Sequence, residues 1–258
     1  MLKQRVMTNS SERAHPDTDS GEIHRPVFAT THWSVVLAAG GTETTRAQQA
    51  LSRLCHAYWY PLYAYVRKRG SNPQDAEDLT QDFFARLLRK RSLSHLTREG
   101  GRFRSFLLKS MNHFLTDEWR RAHVQKRGAG KVISLDAGTA ESRYAIEPAD
   151  RHTPETLYDR AWALILLNAV FRRLRDEYAR TGKAAMFDEL QFCLTGERSA
   201  IPYAELASRL NQPENTVKTH VHRLRRRYRE LLREEVAQIV ASPSEIEEEL
   251  RSLFRALA

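Results

Sequence analysis

The chain is expected to be all-α, built as two small helical domains joined by a flexible linker. Three observations predict this. Apolar residues recur at three-four spacing through most of the sequence, and no β-branched alternation is long enough for a sheet. Two dense blocks are also separated by a patch of scattered Gly, Ala, Asp and Pro without helical period.

Residues 1–27 are rich in Ser, Asp, Thr and Pro and are expected to be a disordered N-terminal extension. The first domain spans 28–127 and holds most of the aromatics. Residues 128–153 read as the linker, 154–235 as the second domain, and 236–258 as a C-terminal helical extension.

Helix starts are marked chemically. Asn72-Pro73, Thr153-Pro154 and Ser242-Pro243 each place a capping residue before a proline at the first helical position, and Ser242 with Glu245 predicts a capping box. The helix after Asn72 carries Leu79, Phe83, Leu87 and Leu88 on one side. The helix over 102–125 carries Phe103, Phe106, Leu107, Met111, Phe114 and Leu115 as a core-facing stripe. The last helix repeats the pattern with Ile246, Leu250, Leu253, Phe254 and Leu257.

Charge narrows the function. The 258 residues hold 41 Lys and Arg against 32 Asp and Glu, a formal net charge of +9. That surplus suits a polyanion, either nucleic acid or an anionic membrane surface. Cys55 and Cys193 form no CxxC pair, so neither a disulfide framework nor a zinc site is expected, and a cytoplasmic location fits. The N-terminus lacks the apolar core of a signal peptide. The run 162–171 is interrupted by Asn168 and too short to span a bilayer, so membrane insertion is not expected.

Two basic helices concentrate the charge. Outside its stripe, the 102–125 helix presents Arg102, Arg104, Lys109, Asn112, His113, Arg120 and Arg121. Such a face suits phosphates and bases, and a merely solvated face suits the same residues. Asp117 stands where it can order Arg120 and Arg121, and Trp119, at the stripe's edge, is expected to join the core.

The second is sharper. Residues 203–210 form a short helix with Ala204, Ala207 and Leu210 inward, Asn211-Gln212-Pro213 breaks it, and a new helix follows with Val217, Val221 and Leu224 inward. This is a helix-turn-helix pattern, whose second helix reads the major groove. Asn215, Thr216, Lys218, Thr219, His222 and Arg223 are placed to meet base edges, and Arg225, Arg226, Arg227 and Arg229 to meet phosphates. An ordinary αα-hairpin with a charged face is the plain alternative.

Three segments carry a resemblance. Asp75-Ala76-Glu77-Asp78-Leu79-Thr80-Gln81-Asp82-Phe83-Phe84-Ala85-Arg86-Leu87-Leu88 resembles conserved region two of bacterial RNA polymerase sigma factors. Phe103-Arg104-Ser105-Phe106-Leu107 through Asp117-Glu118-Trp119-Arg120-Arg121 resembles the promoter-melting, minus-ten-reading helix of that region. Tyr203-Ala204-Glu205-Leu206-Ala207 through Thr216-Val217-Lys218-Thr219-His220-Val221-His222-Arg223 resembles region four, which reads the minus-thirty-five element. Their order and spacing resemble the extracytoplasmic-function subfamily of the sigma-70 family.

The resemblance implies roles. Glu77, Asp78, Gln81, Asp82 and Phe84 would dock on the clamp helices of the largest polymerase subunit, and the second domain on the flap of the second largest. The 92–102 segment would capture a flipped minus-ten base, while Arg102, Arg104, Asn112, His113, Arg120 and Arg121 would contact the non-template strand. Asn215, Thr216, Lys218, Thr219, His222, Arg223 and Arg226 would contact the minus-thirty-five element. Promoter DNA and core polymerase are the implied partners, an anti-sigma factor is a further candidate, and no cofactor is implied. The family commonly has asparagine where His113 stands and glycines where Asn211 and Asn215 stand.

Other readings fit less of the chain. Gly128-Ala129-Gly130-Lys131 lacks the Ser or Thr and the preceding strand of a phosphate loop. His220 and His222 point to different faces, so no metal site is expected there. No catalytic nucleophile, base and orienter assemble, and the chain is not expected to be an enzyme. A stand-alone helix-turn-helix regulator is the main alternative. A metal-dependent nuclease using Glu77, Asp78 and Asp82 is a third.

Overall fold

The computed structural model describes residues 33–40, 45–89, 93, 96–97, 100–124, 137–146, 152–194 and 201–258. The expected disorder of 1–27, and residues 92, 94–95 and 98–99 of the base-capture segment, lie outside them. All regular structure among the described residues is helical, as the periodicity predicts.

The helices run α1 (Trp33–Ala39), α2 (Thr45–Lys68), α3 (Pro73–Arg89), α4 (Phe103–Val124), α5 (Ala137–Ile146), α6 (Pro154–Arg180), α7 (Ala184–Leu190), α8 (Tyr203–Leu210), α9 (Glu214–Ala237) and α10 (Ile246–Leu257). Short 3-10 turns occupy Gln191–Leu194 and Pro243–Glu245.

The caps act largely as read. Asn72 Oδ1 accepts the Asp75 N–H at 2.8 Å, and Thr153 Oγ1 accepts the Thr156 N–H at 3.2 Å, each satisfying a donor of a first turn. Ser242 differs: its hydroxyl meets the Glu245 carboxylate at 3.3 Å, and a 3-10 turn intervenes before α10.

The core begins on α2. Tyr58, Leu62, Tyr63, Tyr65 and Val66 are buried there, and α1, α3 and α6 all pack on this helix. α6 is long enough to serve both halves. Tyr158, near its start, meets Tyr65 edge-on at 6.5 Å, while Leu174 and Phe171, further along, lie beside α7 and α9. The two expected domains therefore share a core across the α2–α6 contact.

Two readings are corrected here. Within the expected linker, residues 137–146 form α5, which docks on α2: Glu141 takes hydrogen bonds from Tyr63 at 2.5 Å and from Arg67 at 2.8 and 3.0 Å. Arg143 also lies over the Tyr60 ring at 3.7 Å. Tertiary contacts, rather than an apolar stripe, stabilise this helix. In α10, Phe254 is 57% exposed, while Glu249 is fully buried.

Candidate nucleic-acid and polymerase interface

α3 turns an acidic strip outward. Asp78 and Asp82 are exposed, and Gln81 donates to Glu77 at 3.0 Å along the same face. Glu77 is 8% exposed and Phe84 6%, with the Phe84 ring edge-on to Phe83 at 5.6 Å. Phe84 thus belongs to the core that shapes the strip, and the expected surface contact through its ring is corrected. Behind the strip, Arg86 bonds Asp117 at 2.8 Å and stacks over Phe114, joining α3 to α4. The Arg86 hydrogen bond holds the Asp117 carboxyl below its usual range. Asp117 is therefore held mainly by α3; Arg121 pairs with Glu118 at 2.6 Å.

The α4 stripe is buried as expected at Phe103, Leu107, Met111 and Phe114. Trp119 is not: it is 64% exposed, correcting the core reading. At 100° per residue it falls about a third of a turn off that stripe. His113, Arg120 and Arg121 are each exposed on α4. Asn112 faces inward to α2, where its Oδ1 accepts from Tyr65 Oη and from Arg69 Nη1, each at 2.5 Å.

At the start of α4, the arginines are engaged internally. Arg104 is 4% exposed, and its Nη1 reaches Asp159 of α6 at 2.8 Å. Its Nη2 reaches Glu249 of α10 at 3.0 Å and Ser252 Oγ at 3.2 Å, and its guanidinium lies over Trp162 at 4.4 Å. Arg102 Nε pairs with the same Glu249 at 2.8 Å. Desolvation raises the Asp159 carboxyl above its usual range, against the pull of Arg104 and then Arg102. A groove of about 500 Å³ opens beside these groups, with Lys109, Asn112 and His113 on its wall. Arg104 does not face solvent in this conformation, which corrects its reading as an open DNA contact.

The second site is arranged differently. α8 ends at Asn211, whose φ of 48° and ψ of 48° place it in the left-handed region, and the Gln212 N–H closes the turn onto Ala207 O at 3.0 Å. Asparagine adopts that geometry more easily than most residues, which is how the chain turns here without glycine. Val217, Val221 and Leu224 are buried as expected, whereas on α8 the buried residue is Leu206 and Ala204 is exposed. Tyr203 of α8 sits beneath Lys218, 5.8 Å from its ammonium.

Asn215, Thr216, Lys218, Thr219, His222, Arg223 and Arg226 are all exposed on α9. Glu214 pairs with Lys218 at 2.7 Å, but both side chains are about half exposed, so the pair is weak and easily exchanged. Further along, Arg225 donates to Cys193 O at 2.9 Å, and Arg227 binds Glu177 through two bonds of 2.8 Å. These bonds tie α9 to its neighbours; Arg227 is half-buried against Glu177, which corrects its reading as a free phosphate contact, whereas Arg225 stays exposed. Arg226 and Arg229 remain on the exposed face, with Arg226 paired to Glu230.

Residues 54–124 match the family model for Sigma-70 region 2. The match starts within α2 and ends with α4, so it covers the acidic strip and the first basic helix. It supports a sigma-70-type sigma factor role, with core RNA polymerase and promoter DNA as partners. No curated protein and no solved structure matches the chain. Among the described residues no helix is long and apolar enough to cross a membrane, and no three His, Cys, Asp or Glu side chains cluster as a metal site.

Sequence reasoning missed Glu249 and Asp159. The signal for Glu249 was available: a carboxylate standing in the apolar stripe of Ile246, Leu250, Leu253 and Leu257 needs a buried cation. Asp159 carries no comparable signal, because nothing local reveals that α6 crosses the start of α4.

Proposed function

We propose that this chain is a sigma factor of the extracytoplasmic-function type, which binds core RNA polymerase, recognises a two-part promoter and promotes its opening. One observation carries the reading. The segment matching Sigma-70 region 2 is followed, further along the chain, by a helix, a left-handed turn and a helix whose first turns expose Asn215, Thr216, Lys218 and Thr219.

In this reading Asp78, Gln81 and Asp82 meet the clamp helices of the polymerase. An acidic strip beside basic surfaces suits a protein partner and repels DNA. α9 lies in the major groove of the minus-thirty-five element, where Lys218 and Arg223 donate to base edges. The exposed face of α4 receives the non-template strand: His113, Arg120 and Arg121 contact it, and Trp119 offers a stacking surface. Extruding a base costs a few kcal/mol, which polymerase binding and stacking offset. The protein acts in the cytoplasm by binding, without a reaction of its own.

The polymerase assignment is tested by Asp78→Ala combined with Gln81→Ala. Association with core polymerase should be lost while duplex binding persists. Intact polymerase binding, or loss of duplex binding, contradicts the roles assigned.

A further inference from the structure

α10 carries a carboxylate among apolar neighbours. Ile246, Leu250, Leu253 and Leu257 form its inner stripe, and Glu249 lies within that stripe at 0% exposure. A carboxylate withdrawn from water needs charged partners. It has two, Arg102 at 2.8 Å and Arg104 at 3.0 Å, both from the beginning of α4. Leu253, also fully buried, seats the helix on α6 and α9, and Arg160 of α6 donates to Leu257 O at 2.9 Å. Arg233 of α9 pairs with Glu247 at the other end.

Arg102 and Arg104 are two of the groups that the resemblance places on the non-template strand. Glu249 offers them the charge and the oxygens that a phosphate would. One set of guanidiniums cannot serve both.

We propose that α10 is an internal latch: Glu249 occupies the place of a DNA phosphate on Arg102 and Arg104, so α10 must leave before the start of α4 can receive a strand. This rests on the sigma-factor reading and adds its regulation. The competition is reciprocal. Any partner that draws α10 away raises the affinity of α4 for DNA, and DNA bound on α4 loosens α10. His113, Trp119, Arg120 and Arg121 are exposed with α10 in place, so the latch controls the contacts at the start of α4 and leaves those four side chains accessible.

The test uses the full chain, alone and with core polymerase, and a mixed-sequence single-stranded DNA oligonucleotide. Hydrogen exchange of residues 246–257 should accelerate when the DNA binds. Glu249→Gln should bind the DNA about tenfold more tightly, within the usual range for coupling between two sites. Leu250→Ala, which loosens α10 without touching the ion pairs, should shift affinity in the same direction, and it keeps the test sound if Glu249→Gln folds poorly. DNA binding with unchanged exchange in 246–257 overturns the latch, as does unchanged affinity in both folded variants; either result leaves the sigma-factor reading standing. Absence of DNA binding in every form, with and without polymerase, removes that reading and the latch with it.

Discussion

The two basic helices are made of similar residues and stand in opposite states. On the N-terminal half of α9 the side chains Asn215, Thr216, Lys218, Thr219, His222 and Arg223 are exposed, and the Glu214–Lys218 ion pair lies in solvent. The start of α4 is closed, with Arg104 enclosed by Asp159, Glu249, Ser252 and Trp162. The difference follows from what packs around each helix. α9 presents one face to α6, α8 and α10 and leaves the other to solvent, whereas the start of α4 lies where α6 and α10 converge. Counting arginines on a helix therefore measures how much phosphate it could bind, and the neighbouring elements decide when. In the proposed reading, α9 is accessible to duplex DNA while the arginines at the start of α4 are held by α6 and α10, which suits a factor that finds its site before opening it.

The largest expected effect breaks the closed side of this comparison. Leu253→Ala removes a fully buried side chain between α10 and its supports, and should cost about 2–5 kcal/mol of folding stability in chemical denaturation. The open side is tested next. Lys218→Ala and Arg223→Ala should each lose about 1–3 kcal/mol of discrimination for the cognate duplex, as read by competition binding. Because both side chains are exposed, their Tm should stay close to that of the parent chain.

A smaller effect is expected at the turn. Asn211→Ala places an ordinary residue at a φ of 48° and should cost about 1–2 kcal/mol, while Asn211→Gly should be tolerated. The smallest is a pH effect on the ties between helices. Hydrogen bonds from Arg67, and then from Tyr63, hold Glu141 below its ordinary value of 4.5, and Arg227 does the same for Glu177. A carboxylate with a lowered folded-state pKa contributes stability above its unfolded value, lost as pH falls through the folded one. Thermal stability should therefore decline below about pH 4.5, and Glu141→Gln or Glu177→Gln should flatten the decline. An identical acid limb in the variants would assign the loss to other groups.

Much of this architecture is legible locally. Asn72-Pro73 and Thr153-Pro154 mark helix starts because their capping bonds lie within four residues, and the bounds of α8 follow from Tyr203 to the break at Asn211. α5 was not legible, since the bonds of Glu141 to Tyr63 and Arg67 cross more than seventy residues. Trp119 departs from expectation for a different reason: a large aromatic near a stripe favours burial by type, and its angular position leaves it exposed. At the candidate sites, the exposed α9 residues could be named from helical phase alone. The closure of Arg104 could not, because it depends on α6 and α10 arriving from far along the chain.

Transcription by a reconstituted complex tests the central claim most directly. The purified chain would be combined with core RNA polymerase and supplied with fragments of the source genome, and start sites would be mapped. The account predicts discrete transcripts, absent without the chain, whose promoters share two spaced elements and which disappear with Lys218→Ala plus Arg223→Ala. The absence of any specific transcript from any fragment would contradict it.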